Sequence, residues 1–218
     1  MEEVRRLHNA CKRNLIQNWV QPNSYVLDCG CGRGGDIHKW NSVRNLRVVG
    51  VDPDQESLIE ASRRVQESSL NVTFFPGDIR TAVTHGPFDV VCYNFALHYI
   101  VDSYDESVSA IGASVKQGGY LIGITPDRQR ILSVTKGGTT FMDKLGNKIE
   151  MRGDRLMVSL TDGPYYAKGS KEEPVLDKYV FINSMKEQGF KMLHWEPMIA
   201  RPNGLISDIY SAFVFVKQ

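Results

Sequence analysis

Apolar positions along the chain follow two periods, and the way these periods alternate predicts the fold. From Glu2 to Val20 the apolar residues recur with helical spacing, which is typical of an amphipathic helix. Beyond this helix, short apolar runs predict strands at 25–29, 47–51, 71–75, 88–93 and 120–125, with helices at 36–40, 54–67 and 105–116. The glycine pair Gly118-Gly119 is predicted to close the last of these helices. Strands that alternate with helices are typical of a mostly parallel sheet with helices on both faces.

The pattern changes after Pro126. Residues 135–171 are rich in Gly, Lys and Asp, and their short alternating stretches predict antiparallel strands or a lid-like insertion. A last helix is predicted at 175–188, an extended segment at 191–196 and a final strand at 211–217. We therefore predict one domain over 1–218, made of an N-terminal helix (2–20), a core (24–126), an insertion (about 127–172) and a C-terminal helix with strands (173–218).

The charge of the chain limits how it can bind nucleic acid. The 218 residues include 26 Lys and Arg against 25 Asp and Glu, which gives a net charge of +1. A protein that wraps a long nucleic acid is usually more basic. If RNA is a substrate, we expect this chain to hold the end of the RNA rather than its length.

Cysteine usage and hydropathy indicate a protein of a reducing compartment. The cysteines, at positions 11, 29, 31 and 92, lack the paired spacing of a zinc site, so we predict buried thiols and no metal. No apolar run reaches the length of a membrane span, and the first residues are too polar for a secretory signal. We therefore predict a cytoplasmic protein that does not enter a membrane.

The turn after the first strand has the sequence VLDCGCGRGGDIHKW, from Val26 to Trp40. In open parallel sheets, ligands bind at the carboxyl ends of the strands, where glycines let the backbone approach a ligand closely. The turn lacks the Lys-Ser/Thr pair that a nucleoside triphosphate needs, and Asp36 would repel a dinucleotide pyrophosphate. Asp28 and Asp36 would instead attract the ammonium group of S-adenosylmethionine, which carries no phosphate. We therefore favour the methyl donor and keep a dinucleotide as the weaker alternative.

Further acidic residues follow the next two strands. Asp52 comes after the second strand, where a carboxylate can accept both hydroxyls of a ribose. Asp78 and Ile79 follow the third strand, where a carboxylate and an apolar neighbour can hold an adenine. Each acid also has an ordinary structural interpretation, because Asp52 could cap the next helix and Gly77-Asp78 could form a simple turn. Three acids at three strand ends together favour a donor site.

Three stretches carry a resemblance to a known family: DCGCGRGGDIHKW, FDVVCYNFALHY and GGYLIGITPD. They resemble the mRNA cap (guanine-N7) methyltransferases, and the resemblance runs from the N-terminal helix to the last strand. The chain looks most like the methyltransferase portion of a capping enzyme from a large cytoplasmic DNA virus.

The resemblance implies a Rossmann-like class I methyltransferase fold of the α/β class, with the insertion on the cap side. It implies S-adenosylmethionine as cofactor, S-adenosylhomocysteine as product and the end of a 5′-capped RNA as acceptor. Other capping modules, in the same or another chain, are implied partners. The implied location is the cytoplasm, a viral factory or the virion.

On the donor side, the resemblance assigns roles position by position. Lys12 is implied to meet the donor carboxylate, and Asp52 the ribose. The implied donor-binding residues are Lys12, Asp28, Gly30, Gly32, Asp36, Asp52, Asp78, Ile79, Asn94 and Phe95. Asn94 departs from the family, which often has Gln at this position.

On the acceptor side, the resemblance implies a pocket for the guanine base. Arg33 is implied to contact the cap phosphates. Glu173 is implied to accept from the guanine edge, with Glu172 and Asp177 as rivals. The implied cap-binding residues are Asn9, Arg33, Phe95, His98, Tyr99, Pro126, Glu173 and Tyr210. Asp127 departs from the family, which often has Asn there.

The chemistry of guanine explains why no general base is expected. Its seventh nitrogen has a lone pair and no proton at neutral pH, so it can attack the methyl group directly and in line. We therefore predict that His98, Tyr99 and Glu173 act by positioning the base. Two alternatives remain, a methyltransferase for a small molecule or protein and a non-catalytic cap-binding module. The second is disfavoured because the donor set is intact, at Asp28, Gly30, Gly32 and Asp52.

Overall fold

The computed structural model describes residues 2–161 and 169–218. The α-helices are α1 (Glu2–Trp19), α2 (Ile37–Trp40), α3 (Gln55–Val65), α4 (Ile79–Ala82), α5 (Tyr104–Ser114), α6 (Arg128–Val134) and α7 (Lys178–Glu187). The strands are β1 (Tyr25–Cys29), β2 (Arg47–Asp52), β3 (Asn71–Pro76), β4 (Phe88–Asn94), β5 (Val115–Pro126), β6 (Thr140–Met142), β7 (Lys148–Arg152), β8 (Arg155–Ser159), β9 (Lys171–Pro174), β10 (Phe190–Pro197) and β11 (Tyr210–Lys217). Short 3-10 helices include Leu97–Ser103 and Ile206–Ile209.

The main sheet has the strand order β10-β11-β5-β4-β1-β2-β3. Strands β1 to β5 pair in parallel, and β11 runs antiparallel between β5 and β10. The predicted mostly parallel sheet is therefore confirmed. Because the parallel strands end at one edge, the turns that follow β1, β2, β3 and β4 meet there, and these turns carry the predicted donor residues.

Both faces of the main sheet are covered, as predicted. On one face, Ile16 of α1 and Trp40 of α2 pack in one buried cluster with Ile124 of β5. On the other face, Ile111 of α5 and Phe181 of α7 share a cluster that includes Leu121 of β5. Each large apolar side chain buried in this way contributes about 1.5–3 kcal/mol to folding.

The insertion forms a second sheet with the order β6-β7-β8-β9, all antiparallel. The predicted antiparallel strands are therefore confirmed for the described residues, while 162–168 of the predicted segment lie outside them. Ile149, Leu156 and Val158 are buried in the same cluster as α1, so the second sheet packs on that face of the domain. This packing places β9 beside the edge where the donor residues meet.

The predicted boundary between α5 and β5 is wrong. The helix predicted over 105–116 ends at Ser114, and β5 begins at Val115 rather than at 120. Gly118, which was predicted to close the helix, lies inside β5 with φ of +75°. Val115 pairs with Phe88 and Tyr120 pairs with Val90, so the glycine pair marks an irregularity in the strand.

None of the helices in the part of the chain that the structure describes has the length and apolar character needed to cross a membrane.

Candidate active site

The glycine-rich turn is packed tightly between β1 and the turn after β4. Gly30 has φ of +71°, and its N–H donates to the Val51 carbonyl at 2.8 Å. A side chain at Gly30 would place its Cβ 2.4 Å from the Cβ of Ala96, so only glycine fits here. Gly32 donates its N–H to the Asp52 carboxylate at 2.8 Å. The turn is thereby fixed to the ends of β2 and β4.

Two buried carboxylates, Asp28 and Asp36, lie on either side of this turn. The Trp40 indole donates to Asp28 at 2.9 Å. Asp36 receives more partners, because the Nζ atoms of Lys12 and Lys39 lie 3.1 and 2.9 Å from its oxygens. The Asn94 amide also donates to Asp36, at 3.0 Å. The negative charge of Asp36 is therefore compensated, whereas Asp28 has no cation within ion-pair distance among the described residues.

The unequal surroundings shift the pKa values of Asp28 and Asp36 in opposite directions. Burial and the nearby Asp36 carboxylate raise the pKa of Asp28 from 3.8 to about 7. Burial acts on Asp36 as well, but Lys12 and Lys39 outweigh it and hold the pKa of Asp36 below its ordinary value. Near pH 7, Asp28 is therefore balanced between its neutral and charged forms. A cationic ligand group beside Asp28 would favour the charged form.

Binding of an ammonium-bearing donor is therefore expected to depend on pH. As the pH falls below 7, Asp28 takes up a proton in the free protein, so affinity should fall by up to about tenfold per pH unit. Above pH 7 the contribution of Asp28 should level off. Calorimetry with S-adenosylhomocysteine from pH 5.5 to 8.5 measures this, and the ratio to Asp28→Asn removes any titration of the ligand itself. A ratio that stays constant over this range would contradict the assignment.

Asp52 connects β2 to the glycine-rich turn. Its two carboxylate oxygens accept from the backbone N–H groups of Gly32 and Asp54, at 2.8 and 3.0 Å. The interpretation of Asp52 as the cap of the next helix is wrong, because Asp54 occupies the N-cap position of α3. Asp52 is half-buried and keeps lone pairs for further donors, so a ribose role stays a prediction.

Asp78 has a structural role, but as a helix cap rather than as part of the simple turn that was its alternative interpretation. It caps α4 by accepting from the Arg80 N–H at 2.9 Å, and it also pairs with the Arg80 guanidinium. These hydrogen bonds from Arg80 hold the pKa of Asp78 below its ordinary value. Ile79 is buried beside it. An adenine amino group would have to share this carboxylate with Arg80.

On the opposite side of the β4 turn, a carboxylate from the insertion meets the 3-10 helix Leu97–Ser103. Glu173 of β9 is buried and accepts from the Tyr99 hydroxyl at 3.2 Å. The Nε2 atom of His98 lies 3.5 Å from the second Glu173 oxygen, and the rings of His98 and Tyr99 are 4.2 Å apart. Neither ring nitrogen of His98 has a hydrogen-bond partner within residues 2–161 and 169–218, although the ring is buried.

The structure distinguishes Glu173 from its two sequence rivals. Glu172 is exposed, on the opposite face of β9. Asp177 caps α7 by accepting from the N–H groups of Tyr179 and Val180. Of the three acids, only Glu173 contacts His98 and Tyr99.

Two aromatic side chains, Phe95 and Tyr210, lie near this carboxylate and together form an aromatic wall. The Phe95 ring meets Tyr210 edge-on, with centroids 4.9 Å apart, and Tyr210 pairs with Pro126 between β11 and β5. Burial and the Glu173 charge raise the pKa of the Tyr210 phenol. The charge of Glu173 acts on the phenol of Tyr210, so the carboxylate lies near the aromatic wall.

Two residues that were predicted for the site lie outside these contacts, and three residues that make such contacts were not predicted from the sequence. Asn9 and Arg33 are exposed, and no hydrogen bond joins them to the site within the described residues. Lys39 and Trp40 were missed, although their positions three and four residues after Asp36 in a predicted helix place them on its side. His8, which stacks on Phe95 at 4.6 Å, was also missed; it precedes Lys12 by one helical turn.

Asp127, noted as a departure from the family, is engaged by residues that are not part of this pocket. Its carboxylate caps α6 and accepts from the Trp195 indole at 2.9 Å and the Ser211 hydroxyl at 2.8 Å. All three side chains are therefore engaged in holding α6 against β10 and β11.

Comparison with known families identifies the family of this chain. The family model described as the mRNA (guanine-N(7))-methyltransferase domain matches residues 1–152. This chain belongs to the mRNA cap guanine-N7 methyltransferase family. The match covers the donor residues and the turn after β4, and it ends in β7, before Glu173 and Tyr210.

Curated relatives carry the same family name. The mRNA cap guanine-N(7) methyltransferase of Eremothecium gossypii is 32% identical over 145 residues, which are 59% of this chain and 34% of that protein. The Candida glabrata enzyme of the same name is 28% identical over 199 residues, 82% of this chain and 46% of that protein. The chain thus spans less than half the length of these two relatives.

Solved structures establish the fold as that of class I S-adenosylmethionine-dependent methyltransferases. One from Clostridium acetobutylicum superposes with a TM-score of 0.67 at 17% identity, over 97% of this chain and 91% of that one. The 1,6-didemethyltoxoflavin-N1-methyltransferase of Burkholderia thailandensis, solved with S-adenosylhomocysteine, gives 0.62 at 17% identity, over 97% and 78%. At these identities the likeness concerns the fold alone.

Proposed function

We propose that this chain transfers a methyl group from S-adenosylmethionine to the seventh nitrogen of the guanine in the 5′ cap of RNA. The observation that carries the proposal is the meeting of two groups of side chains at the end of β4: the acids Asp28 and Asp36 (the acidic pocket) and the aromatic wall with Glu173 (the second pocket). Asn94 donates to Asp36 in the acidic pocket, and its neighbour Phe95 forms the aromatic wall with Tyr210. The Nζ of Lys12 spans the same junction, 3.1 Å from Asp36 and 5.2 Å from the Phe95 ring centroid.

The acidic pocket fits the methyl donor that its family uses. The Oδ1 atom of Asn94 is buried and has no hydrogen-bond partner among the described residues, so it is available to an ammonium group. Asp28 offers a carboxylate to the same group, and Lys12 offers a cation to a ligand carboxylate. When bound, the donor supplies an electrophilic methyl group on a sulfonium. Asp28, Asn94 and Lys12 would hold the donor beside Phe95.

The second pocket fits a guanine. A buried carboxylate such as Glu173 can accept from the N–H groups on the edge of guanine, and Phe95 and Tyr210 offer apolar ring surface. The attacking nitrogen carries no proton, so the site needs no general base. Positioning two reactants in line can supply about 7–11 kcal/mol. The methylated base becomes cationic, and Glu173 stabilises that charge more than the neutral reactant.

Narrower predictions extend this proposal. A viral capping enzyme as the source, other capping modules as partners, and the cytoplasm, a viral factory or the virion as the location all stay predictions. The curated relatives named above are fungal and carry the same catalytic name. A methyltransferase for a small molecule or protein stays the alternative function.

The direct test is methyl transfer to defined RNA ends. The protein is incubated with methyl-labelled donor and RNA that carries an unmethylated guanosine cap, and the digested product is analysed for 7-methylguanosine. RNA with a 5′ triphosphate and RNA with a methylated cap serve as controls. We expect label only in the unmethylated cap. Donor binding without any label in this cap, or equal label in free small molecules, would contradict the proposal.

A further inference from the structure

The side chain of His8 is built into the wall of the second pocket. Its ring stacks on Phe95 with centroids 4.6 Å apart and an angle of 25°, and it meets Tyr210 nearly edge-on at 5.5 Å. Its Nε2 atom lies 3.0 Å from the hydroxyl of Ser207, which is fully buried in the 3-10 helix Ile206–Ile209. The orientation of the imidazole is therefore fixed from two sides.

Phe95 needs such support because its backbone is strained. It has φ of +64°, a left-handed conformation that an aromatic residue rarely adopts. Such a conformation persists only where the surroundings hold it in place. One restraint is the hydrogen bond from the Phe95 N–H to the Ile124 carbonyl, at 2.8 Å. The stacked imidazole of His8 is a second restraint, and it comes from a helix far away in the sequence.

The charge state of His8 suits a pocket in which positive charge develops. Burial and the nearby Lys12 ammonium lower the pKa of His8 to about 3, so the ring is neutral at physiological pH. A neutral ring packs on Phe95 without repelling a cationic purine. The groups that face His8 are Lys12 on its own helix, Phe95 after β4, and Ser207 and Tyr210 next to β11.

We infer that His8 is a positioning residue for the acceptor base, which it serves by holding the Phe95 ring and its left-handed turn in place. This inference rests on the proposed function for its substrate. It places His8 of α1 on the acceptor side, apart from the predicted donor contact of Lys12 on the same helix.

Two substitutions separate the ring of His8 from its hydrogen bond. His8→Gln keeps a polar partner for Ser207 but removes the ring, whereas His8→Phe keeps a ring and removes the hydrogen bond. We expect His8→Gln to lower kcat/KM for capped RNA about 3- to 10-fold, mainly through KM, which is the size of effect that one aromatic pair supplies. His8→Phe should recover most of this loss. His38→Gln, at an exposed histidine of α2, is the matched control.

Donor affinity and the crystal structure of His8→Gln complete the test. We expect donor affinity to change less than twofold and the Phe95 turn to leave its left-handed conformation. Equal impairment of His8→Gln and His8→Phe, or a His8→Gln enzyme with wild-type KM, would overturn the inference. If the wild type fails to methylate capped RNA, the proposed function fails, and the Phe95 conformation in His8→Gln still decides whether His8 holds the turn.

Discussion

Replacing Asp28 by Asn is expected to weaken donor binding about 100-fold while the folded protein becomes more stable at pH 8. The loss of affinity follows because the variant removes the carboxylate proposed to face the ammonium group of the donor, and truncating a buried charge pair typically costs 2–5 kcal/mol. Calorimetry with S-adenosylhomocysteine measures this loss. Asp154→Asn, at an exposed turn between β7 and β8, is the matched control and should bind the donor normally.

The stability of the folded protein is expected to rise, although donor affinity falls, because the pKa of Asp28 is raised. Its carboxyl ionises near pH 7 in the folded protein and near 3.8 in the unfolded chain, so ionisation destabilises the folded state increasingly as the pH rises between these values. The full cost is present above pH 7, and Asn avoids it while still accepting from Trp40. The melting temperature of Asp28→Asn should therefore exceed that of the wild type by several degrees at pH 8, with a smaller difference at pH 5. A variant that binds the donor normally, or melts well below the wild type at pH 8, would contradict this role.

Replacing Glu173 by Gln is expected to lower kcat/KM for capped RNA about 10- to 100-fold, with donor affinity unchanged. The amide keeps the shape of the side chain but loses the charge that accepts from the guanine edge, and hydrogen bonds to a charged group contribute about 1.5–3 kcal/mol. It also removes the stabilisation of the cationic product base. Methyl-transfer kinetics measure the effect on capped RNA, and calorimetry on the same preparation measures the effect on donor affinity.

Glu172→Gln is the matched control for Glu173, because the two residues are neighbours in β9 and Glu172 is exposed. It should behave as the wild type. If Glu172→Gln lost activity and Glu173→Gln did not, the acceptor pocket would be assigned to the wrong face of β9. If Glu173→Gln weakened donor and cap equally, Glu173 would have a structural rather than an acceptor role.

The donor half of the site could be predicted from the sequence because it depends on local rules. Apolar runs end where strands end, and in a parallel sheet those ends meet at one edge, so Asp28, Asp52 and Asp78 were expected there. The glycine-rich turn was equally predictable, since Gly30 approaches the turn after β4 too closely for a side chain. The local rules did not predict that Asp78 is already paired with Arg80.

The acceptor half depends on tertiary packing and was less predictable. Glu173 could not be separated from Glu172 by sequence, because a shift of one residue in a short strand reverses which side chains face the core. The contact of His8 with Phe95 depends on how α1 lies across the sheet edge, which its amphipathic pattern does not specify. The glycines at 118 and 119 were interpreted as a helix end, because a glycine pair in the sequence does not distinguish that from an irregularity in a strand.

The most direct test of the central claim is a crystal structure of this protein with S-adenosylhomocysteine and an unmethylated cap dinucleotide. We predict that the product sulfur lies between Asp28 and Phe95. The seventh nitrogen of the guanine should face this sulfur across a gap that holds one methyl group, on the line along which the methyl is transferred. Glu173 should accept from the opposite edge of the base. The claim would be contradicted by a nucleoside bound elsewhere on the sheet, or by a guanine whose seventh nitrogen points away from the sulfur.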